Sequence, residues 1–245
     1  GDTYANRMPD PVLQQVEHFN NPGITANDAF KPVTRYFDRI TRPEQIIQSF
    51  PAAVQTMLDP ADCGPACIAL SQDIQGQTFD YPEEFFKEKI HAIRRPRPDE
   101  FQIKEAAEKI KSSKNPIIIS GGGVFYSDAM EELSNFAVKH NIPVTQTVMG
   151  YSTMKRDHSH YAGQIGGLGG KNTNSLAKQT DLAIAVGTKL ADFTTGSWAN
   201  FENENFQLVS INVSRFDANK HLAQAVVGDA KVSLDELSQA LGDWK

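Results

Sequence analysis

The residues of this chain best placed to do chemistry are the glycines that end a β-branched run. Asn115-Pro116-Ile117-Ile118-Ile119-Ser120-Gly121-Gly122-Gly123 reads as a buried parallel strand breaking into a tight turn. A helix behind such a turn aims backbone N–H groups at a phosphate. The dinucleotide fingerprint also needs a third glycine three residues after the second, and an acid near the end of the next strand. Tyr126 occupies the first position, and Thr145-Gln146-Thr147 offers no acid at the second. A standard NAD site is therefore not expected. Other candidates are weaker. His158 and His160 are two apart and lack further ligands at a recognisable spacing, so they read as solvent-facing loop histidines. Cys63 and Cys67 form a single pair around Gly64-Pro65 and read as ordinary thiols. Neither a P-loop nor a Gly-x-Ser-x-Gly elbow occurs. No metal site is expected.

The turn needs a scaffold, and the pattern around it supplies one. Ile103, Ala106, Ala107 and Ile110 space out a helix before the glycine strand. A second helix is predicted after the turn, capped by Ser127, with Ala129, Met130, Leu133, Phe136 and Ala137 on one face. Acids near its start and Lys139-His140 near its end suit the helix dipole. A strand begins at Ile142–Thr145, and a glycine-rich segment runs from Gly150 to Gly170. Then come a short helix around Leu176, strand Leu182–Val186, a loop Gly187–Phe201, strands Leu208–Asn212 and Ala225–Val227, and a closing helix Ser233–Leu241. Five strands alternating with helices predict an α/β fold with a Rossmann-like, doubly wound parallel sheet.

The first part of the chain is less regular. Residues 1 to about 40 show no long periodic segment, although Val12, Leu13, Val16 and Phe19 could form a short helix, and Asn20-Asn21-Pro22-Gly23 signals a turn. Ile46 to Leu58 carries helical spacing interrupted by Pro51, which predicts a kink or a missing hydrogen bond. Ala66–Leu70 reads as a short strand. Arg94-Arg95-Pro96-Arg97-Pro98 reads as a solvated linker crossing the surface. The expected division is 1–78 for an incomplete α/β piece, 79–98 for a linker and 99–245 for the Rossmann-like domain.

At 245 residues the chain has ample length for a core, and its net charge of −6 argues against nucleic-acid or anionic-membrane partners. No apolar run approaches the roughly 20 residues of a bilayer span. Two cysteines imply no disulfide framework, so a cytoplasmic setting is expected.

Gly64-Pro65, the strand after it and Gln72-Asp73-Ile74-Gln75 resemble the end of the pyrimidine-binding domain of thiamine-diphosphate-dependent enzymes. The glycine strand, the segment through His160, Gly163, Gly166 and Gly169, Asp181–Thr188 and Ile211-Asn212-Val213 resemble that family's central domain. Asp10–Glu17, Ile24–Phe30, Phe193–Trp198 and Phe216–His221 resemble members that open a cyclic 1,2-dione to 5-deoxyglucuronate in inositol breakdown.

The resemblance implies a C–C hydrolase that uses thiamine diphosphate and Mg2+, acts on a small molecule and works as a homodimer or homotetramer. It also implies that the present chain is an internal, inactive piece needing further domains. Gly228-Asp229-Ala230 lacks the last glycine of the family's diphosphate-binding Gly-Asp-Gly motif, and no catalytic residue is assigned. Gln14 or Gln15 matches a glutamine facing the thiamine site. Gly121, Gly122, Gly123, Gly163, Gly166, Gly187 and Thr188 would line a nucleotide-like crevice. Phe193, standing where flavin-binding relatives carry arginine, argues against FAD. Two other functions fit the same pattern: an acetolactate-synthase-like carboligase or 2-oxo acid decarboxylase, and a non-catalytic nucleotide-binding module.

Overall fold

The computed structural model describes residues 1–8, 18 and 20–245, which fall into two compact units, Gly1–Arg94 and Arg95–Lys245. The short helix expected around Val12–Phe19 lies outside the described residues, as do Gln14 and Gln15.

The first unit contains β1 (Tyr36–Ile40), α1 (Ile46–Leu58) and β2 (Ala66–Leu70), with β1 and β2 paired in parallel from Tyr36↔Ala66 to Ile40↔Leu70. No strand was expected at β1, because Tyr-Phe-Asp-Arg-Ile puts charges in mid-strand. An ion cluster accommodates one of them. Arg39 Nε donates to Asp2 Oδ2 at 2.5 Å, and Nη2 donates to Asp28 Oδ2 at 2.6 Å and Thr25 Oγ1 at 3.0 Å. Burial would raise the pKa of Asp2, but hydrogen bonds led by the Arg39 guanidinium outweigh it and hold the carboxyl below its ordinary range. The helix α1 continues through Pro51.

The second unit contains α2 (Glu100–Ser112), β3 (Pro116–Ser120), α3 (Gly122–Tyr126), α4 (Met130–His140), β4 (Val144–Gln146), β5 (Tyr161–Gln164), α5 (Lys171–Gln179), β6 (Leu182–Val186), α6 (Asp192–Thr195), β7 (Gln207–Asn212), α7 (Arg215–Ala218), β8 (Gln224–Val227) and α8 (Ala230–Leu241). All six strands are parallel, in the order β5-β4-β3-β6-β7-β8. The chain thus winds outward in both directions from a switch point between β3 and β6. Side chains alternate across the sheet. Ile118, Ile184 and Val209 pack under α2, α4 and α8, while Ile117, Ile119, Ala183 and Ala185 face α5 and Trp198. Both faces are covered, so the central strands read as unbroken apolar runs.

Several sequence expectations change. The single helix after the glycine turn is two helices, because Asp128 turns left-handed (φ 53°) between them, and Ser127 ends α3 instead of capping α4. The glycine-rich segment hides a sixth strand, β5. Arg95 is not a fully solvated linker charge, whereas Arg97 stays exposed. Arg95 Nη1 donates to the Ser127 carbonyl and to Asp229 Oδ2 at 3.2 Å, and Arg97 pairs with Glu236. His158 and His160 are half-buried. His158 Nε2 hydrogen-bonds Ser134 Oγ at 2.9 Å and His160 Nε2 bonds Asn141 Oδ1 at 3.2 Å. Cys63 and Cys67 are free thiols.

The end of the sheet domain is latched by His140. Its Nδ1–H donates to the Trp244 carbonyl at 2.7 Å, and Nε2 accepts from Ser238 Oγ at 3.1 Å, an oxygen that also receives Lys139 Nζ. The neutral ring satisfies both bonds. Burial lowers the pKa and the Lys139 charge adds to this, against the opposing pull of the Trp244 carbonyl. The unfolded chain therefore takes up a proton near 6.5 that the folded one refuses. Stability should be full above that pH and fall as the pH drops through it. Urea midpoints at pH 7.5 and 5.5 should differ more in the wild type than in His140→Gln, which keeps a donor and an acceptor but cannot titrate. Equal slopes would remove the latch from the account.

Candidate functional site

Ligands of doubly wound sheets bind beyond the carboxyl ends of the strands, at the switch point. Here that place is the junction of the loops after β3 and β6. Gly121 N–H donates to Val186 O and Gly123 N–H to Gly187 O, each at 2.9 Å, while Gly187 N–H reaches Ile211 O at 2.8 Å. The backbones touch directly. A Cβ on Gly121 would lie 2.4 Å from Gly187 O, one on Gly123 2.5 Å from Gly187 Cα, and Gly187 itself has φ +60°. Thr188 closes the junction, with its Cβ 2.5 Å from where a Gly121 Cβ would sit and its carbonyl accepting Asn212 Nδ2 at 3.2 Å. The donors at Gly121 and Gly123 that would have cradled a phosphate are satisfied within the protein.

The loop after β4 is fastened to the same spot. A Cβ on Gly150 would sit 2.1 Å from Ser120 O, and Thr147 N–H donates to that carbonyl at 2.9 Å. Beneath it runs a buried polar chain that sequence reading missed. Ser120 Oγ meets Thr153 Oγ1, Thr153 donates to Gly150 O at 2.8 Å, and Gln146 Nε2 bridges Thr153 Oγ1 and Met154 O at 3.2 and 3.0 Å. Each of these side chains is almost fully buried, where an unpaired polar group would be costly.

Gly121, Gly122, Gly123, Gly187 and Thr188 therefore meet at one place, while Gly163 and Gly166 belong to a second cluster. A Cβ on Gly163 would be 2.5 Å from Thr173 Oγ1, and one on Gly166 would be 2.2 Å from Phe193 O. The Asn174 amide grips Gly166 through both its N–H and its carbonyl, at 3.0 Å each. Asn174 carries no fingerprint in the sequence, since its role arises only once α5 folds under the β5 loop.

An open groove of about 380 Å³ lies beside the β6 loop, lined by residues that include Lys189, Asp192, Trp198, Lys220 and His221. The Trp198 and His221 rings meet edge-on, centroids 4.6 Å apart. Lys220 is paired with Asp217, and Asp192 accepts Ser197 Oγ–H at 2.7 Å, so Lys189 is the groove lysine with the most exposed position. These residues come from Phe193–Trp198, Phe216–His221 and their flanks, two stretches the sequence had set apart without joining. Among the described residues no three His, Cys, Asp or Glu side chains form a group able to hold a metal ion.

Known proteins resemble this chain in sequence and fold. The family model "Thiamine pyrophosphate enzyme, central domain" matches residues 103–237. The chain is 48% identical over 241 residues to a 3D-(3,5/4)-trihydroxycyclohexane-1,2-dione hydrolase of Clostridium perfringens, covering 98% of this chain and 38% of that one. A protein of the same name from Bacillus licheniformis is 47% identical over 244 residues, again 38% of its length. The chain thus spans well under half of the curated relatives it matches. The crystal structure of benzoylformate decarboxylase from Polynucleobacter necessarius superposes with a TM-score of 0.73 at 20% identity, covering 99% of this chain and 46% of that chain, and so shares the fold.

Glycine substitutions separate the sewn junction from its surroundings. Gly187→Ala should cost about 3 kcal/mol or more in denaturant unfolding, since it adds a Cβ at positive φ against Gly123. Gly122→Ala, at the start of α3, whose Cβ comes no closer than 3.2 Å to any atom (Met149 O), should stay within about 1 kcal/mol of wild type. Similar losses in the two variants would argue against a direct backbone contact.

Proposed function

The chain belongs to the thiamine pyrophosphate enzyme family, whose central domain it carries, and from that premise we propose that it is part of a C–C hydrolase. The reaction adds water across a ring C–C bond of trihydroxycyclohexane-1,2-dione and releases 5-deoxyglucuronate. The observation that carries this reading is the 48% identity over almost the whole chain to a protein named for that hydrolysis. Such similarity extends through both units, including Ile24–Phe30 and Phe216–His221.

Thiamine diphosphate, with Mg2+, is the cofactor of the complete enzyme in this proposal, and it supplies the C–C cleaving chemistry there. The described residues do not fit that group. Asp229 is spent as the N-cap of α8, accepting Lys231 N–H at 3.0 Å and Arg95 Nη1 at 3.2 Å. The N–H groups of Gly121 and Gly123 are likewise taken. We therefore assign cofactor binding to other parts of a longer polypeptide and expect the present chain to turn over no substrate alone. FAD is not part of the proposal.

Residues 1–78 are the C-terminal part of a pyrimidine-binding domain in this reading, with 79–98 as linker and 99–245 as the central domain. A two-stranded sheet is too small to be stable by itself, which favours β1 and β2 belonging to a wider sheet. Gln14 or Gln15 would face the substrate. The intact enzyme would assemble as a homodimer or homotetramer, and two free cysteines suit the cytoplasm.

A carboligase or 2-oxo acid decarboxylase on the same scaffold is the nearest competitor, and product identity separates them. The protein encoded by the complete reading frame, supplied with thiamine diphosphate and Mg2+, should convert the dione to 5-deoxyglucuronate, followed by NMR. The 245-residue chain should show no conversion. Carbon dioxide release from pyruvate or malonic semialdehyde, with the dione untouched, would replace the hydrolase reading.

A further inference from the structure

The apolar surface of the second unit is distributed unevenly. Phe125 and Tyr126 follow β3, Met149 follows β4, Leu168 follows β5, Phe193 follows β6 and Phe216 follows β7, all between 57% and 79% exposed. Phe101 and Met130, at helix starts, lie at the same carboxyl end of the sheet. Val148 and Tyr151, which also follow β4, are exposed at this end too, and among the described residues of this unit only Val138 and Leu222 are large exposed hydrophobics elsewhere. The turns at the opposite end are polar: Ser113-Lys114-Asn115, Asn141, Thr180-Asp181 and Glu202-Asn203-Glu204-Asn205. Soluble proteins that stand alone rarely gather apolar surface on one side.

The residues are not strays on slack loops. Gly150 seated on Ser120, the Thr153–Gln146 chain and the Gly166–Asn174 grip hold the displaying loops in fixed positions. Nor do they close on one small-ligand pocket: the groove beside β6 is lined by none of the six, and only Phe216 among them lines the neighbouring open depression, with Arg215, Asn219 and Lys220. A surface drawn from five successive strand ends suits a protein-sized occupant.

We propose that this rim is the docking face for a further domain of the same polypeptide, one that lies in the part of the relatives' chains not matched here. That part is the larger one: the match takes up only 38% of each relative's length. The inference rests on the reading that the chain is part of a longer family member. The docked domain would present an apolar surface, and the rim would become part of an internal interface.

Hydroxyl-radical footprinting tests this on the 245-residue chain and on the protein encoded by the complete frame. Oxidation at Phe125, Tyr126, Met149 and Phe193 should slow by about tenfold or more in the longer protein, as befits a desolvated interface core. Val138 and Leu222 should react equally in both. A longer protein that consumes the dione yet oxidises at the rim as fast as the short chain would overturn the inference while leaving the functional reading intact. Rim protection already present in the short chain, growing with its concentration, would assign the face to a second copy and overturn it too. A frame containing no further domain would overturn both. As a second readout, Phe125→Ser with Met149→Ser should leave the short chain's melting temperature unchanged and lower that of the longer protein.

Discussion

Direct contact between two backbones, Gly121–Gly123 against Gly187, is the constraint on which the rest of the central domain depends. In a doubly wound sheet the two middle strands diverge into loops that leave opposite ways, and the space between them is normally the ligand crevice. Here the absence of side chains on three glycines lets the loops close to hydrogen-bonding distance. Val186 and Gly187 carbonyls take the N–H groups of Gly121 and Gly123, so the junction is satisfied electrostatically as well as sterically. Such a seam gives the glycines a structural role. It also fixes where α3 starts, and through α3 the left-handed step at Asp128 that sets α4 in place.

The consequences spread outward along the sheet. Gly150 rests on Ser120, the residue just before the seam, so the β4 loop inherits the same reference point. Asn212 binds the Thr188 carbonyl and brings the end of β7 into register with it. At the far edge Arg95 ties the entry of the domain to Asp229 at the head of α8, and His140 ties α4 to the chain's last residues. The amino ends of the strands are finished with polar turns: Asp181 alone accepts from Ser113, Lys114 and Asn115. Burial opposes its ionisation, yet those bonds keep its pKa below the ordinary value.

Much of this was readable from sequence because it rests on local periodicity. Ile117–Ile119 and Leu182–Val186 announced central strands buried on both faces, and Ile103, Ala106, Ala107 and Ile110 announced α2. What escaped depended on partners distant in the chain. The strand β5 is Tyr-Ala-Gly-Gln, with a glycine at φ +101° and no apolar alternation, and pairing with β4 makes it a strand. The strand β1 needed Asp2 and Asp28 to house Arg39. Ser127 looked like a cap because it precedes an acidic, apolar-periodic stretch. The crossing of α3 and the Ser127 carbonyl's bond with Arg95 leave it at a helix end instead. The candidate glycines were legible as special positions, but whether they held a ligand or each other was not written in their spacing. Gln14 and Gln15 lie outside the described residues, so their role rests on resemblance alone.

The most direct test of the sewn switch point is calorimetric titration of the chain with FAD, NAD and ADP. If the N–H groups of Gly121 and Gly123 are committed to Val186 and Gly187, none of the three should bind with submicromolar affinity. Submicromolar binding of any one of them would mean that the seam opens to receive a phosphate, and would contradict the account at its centre.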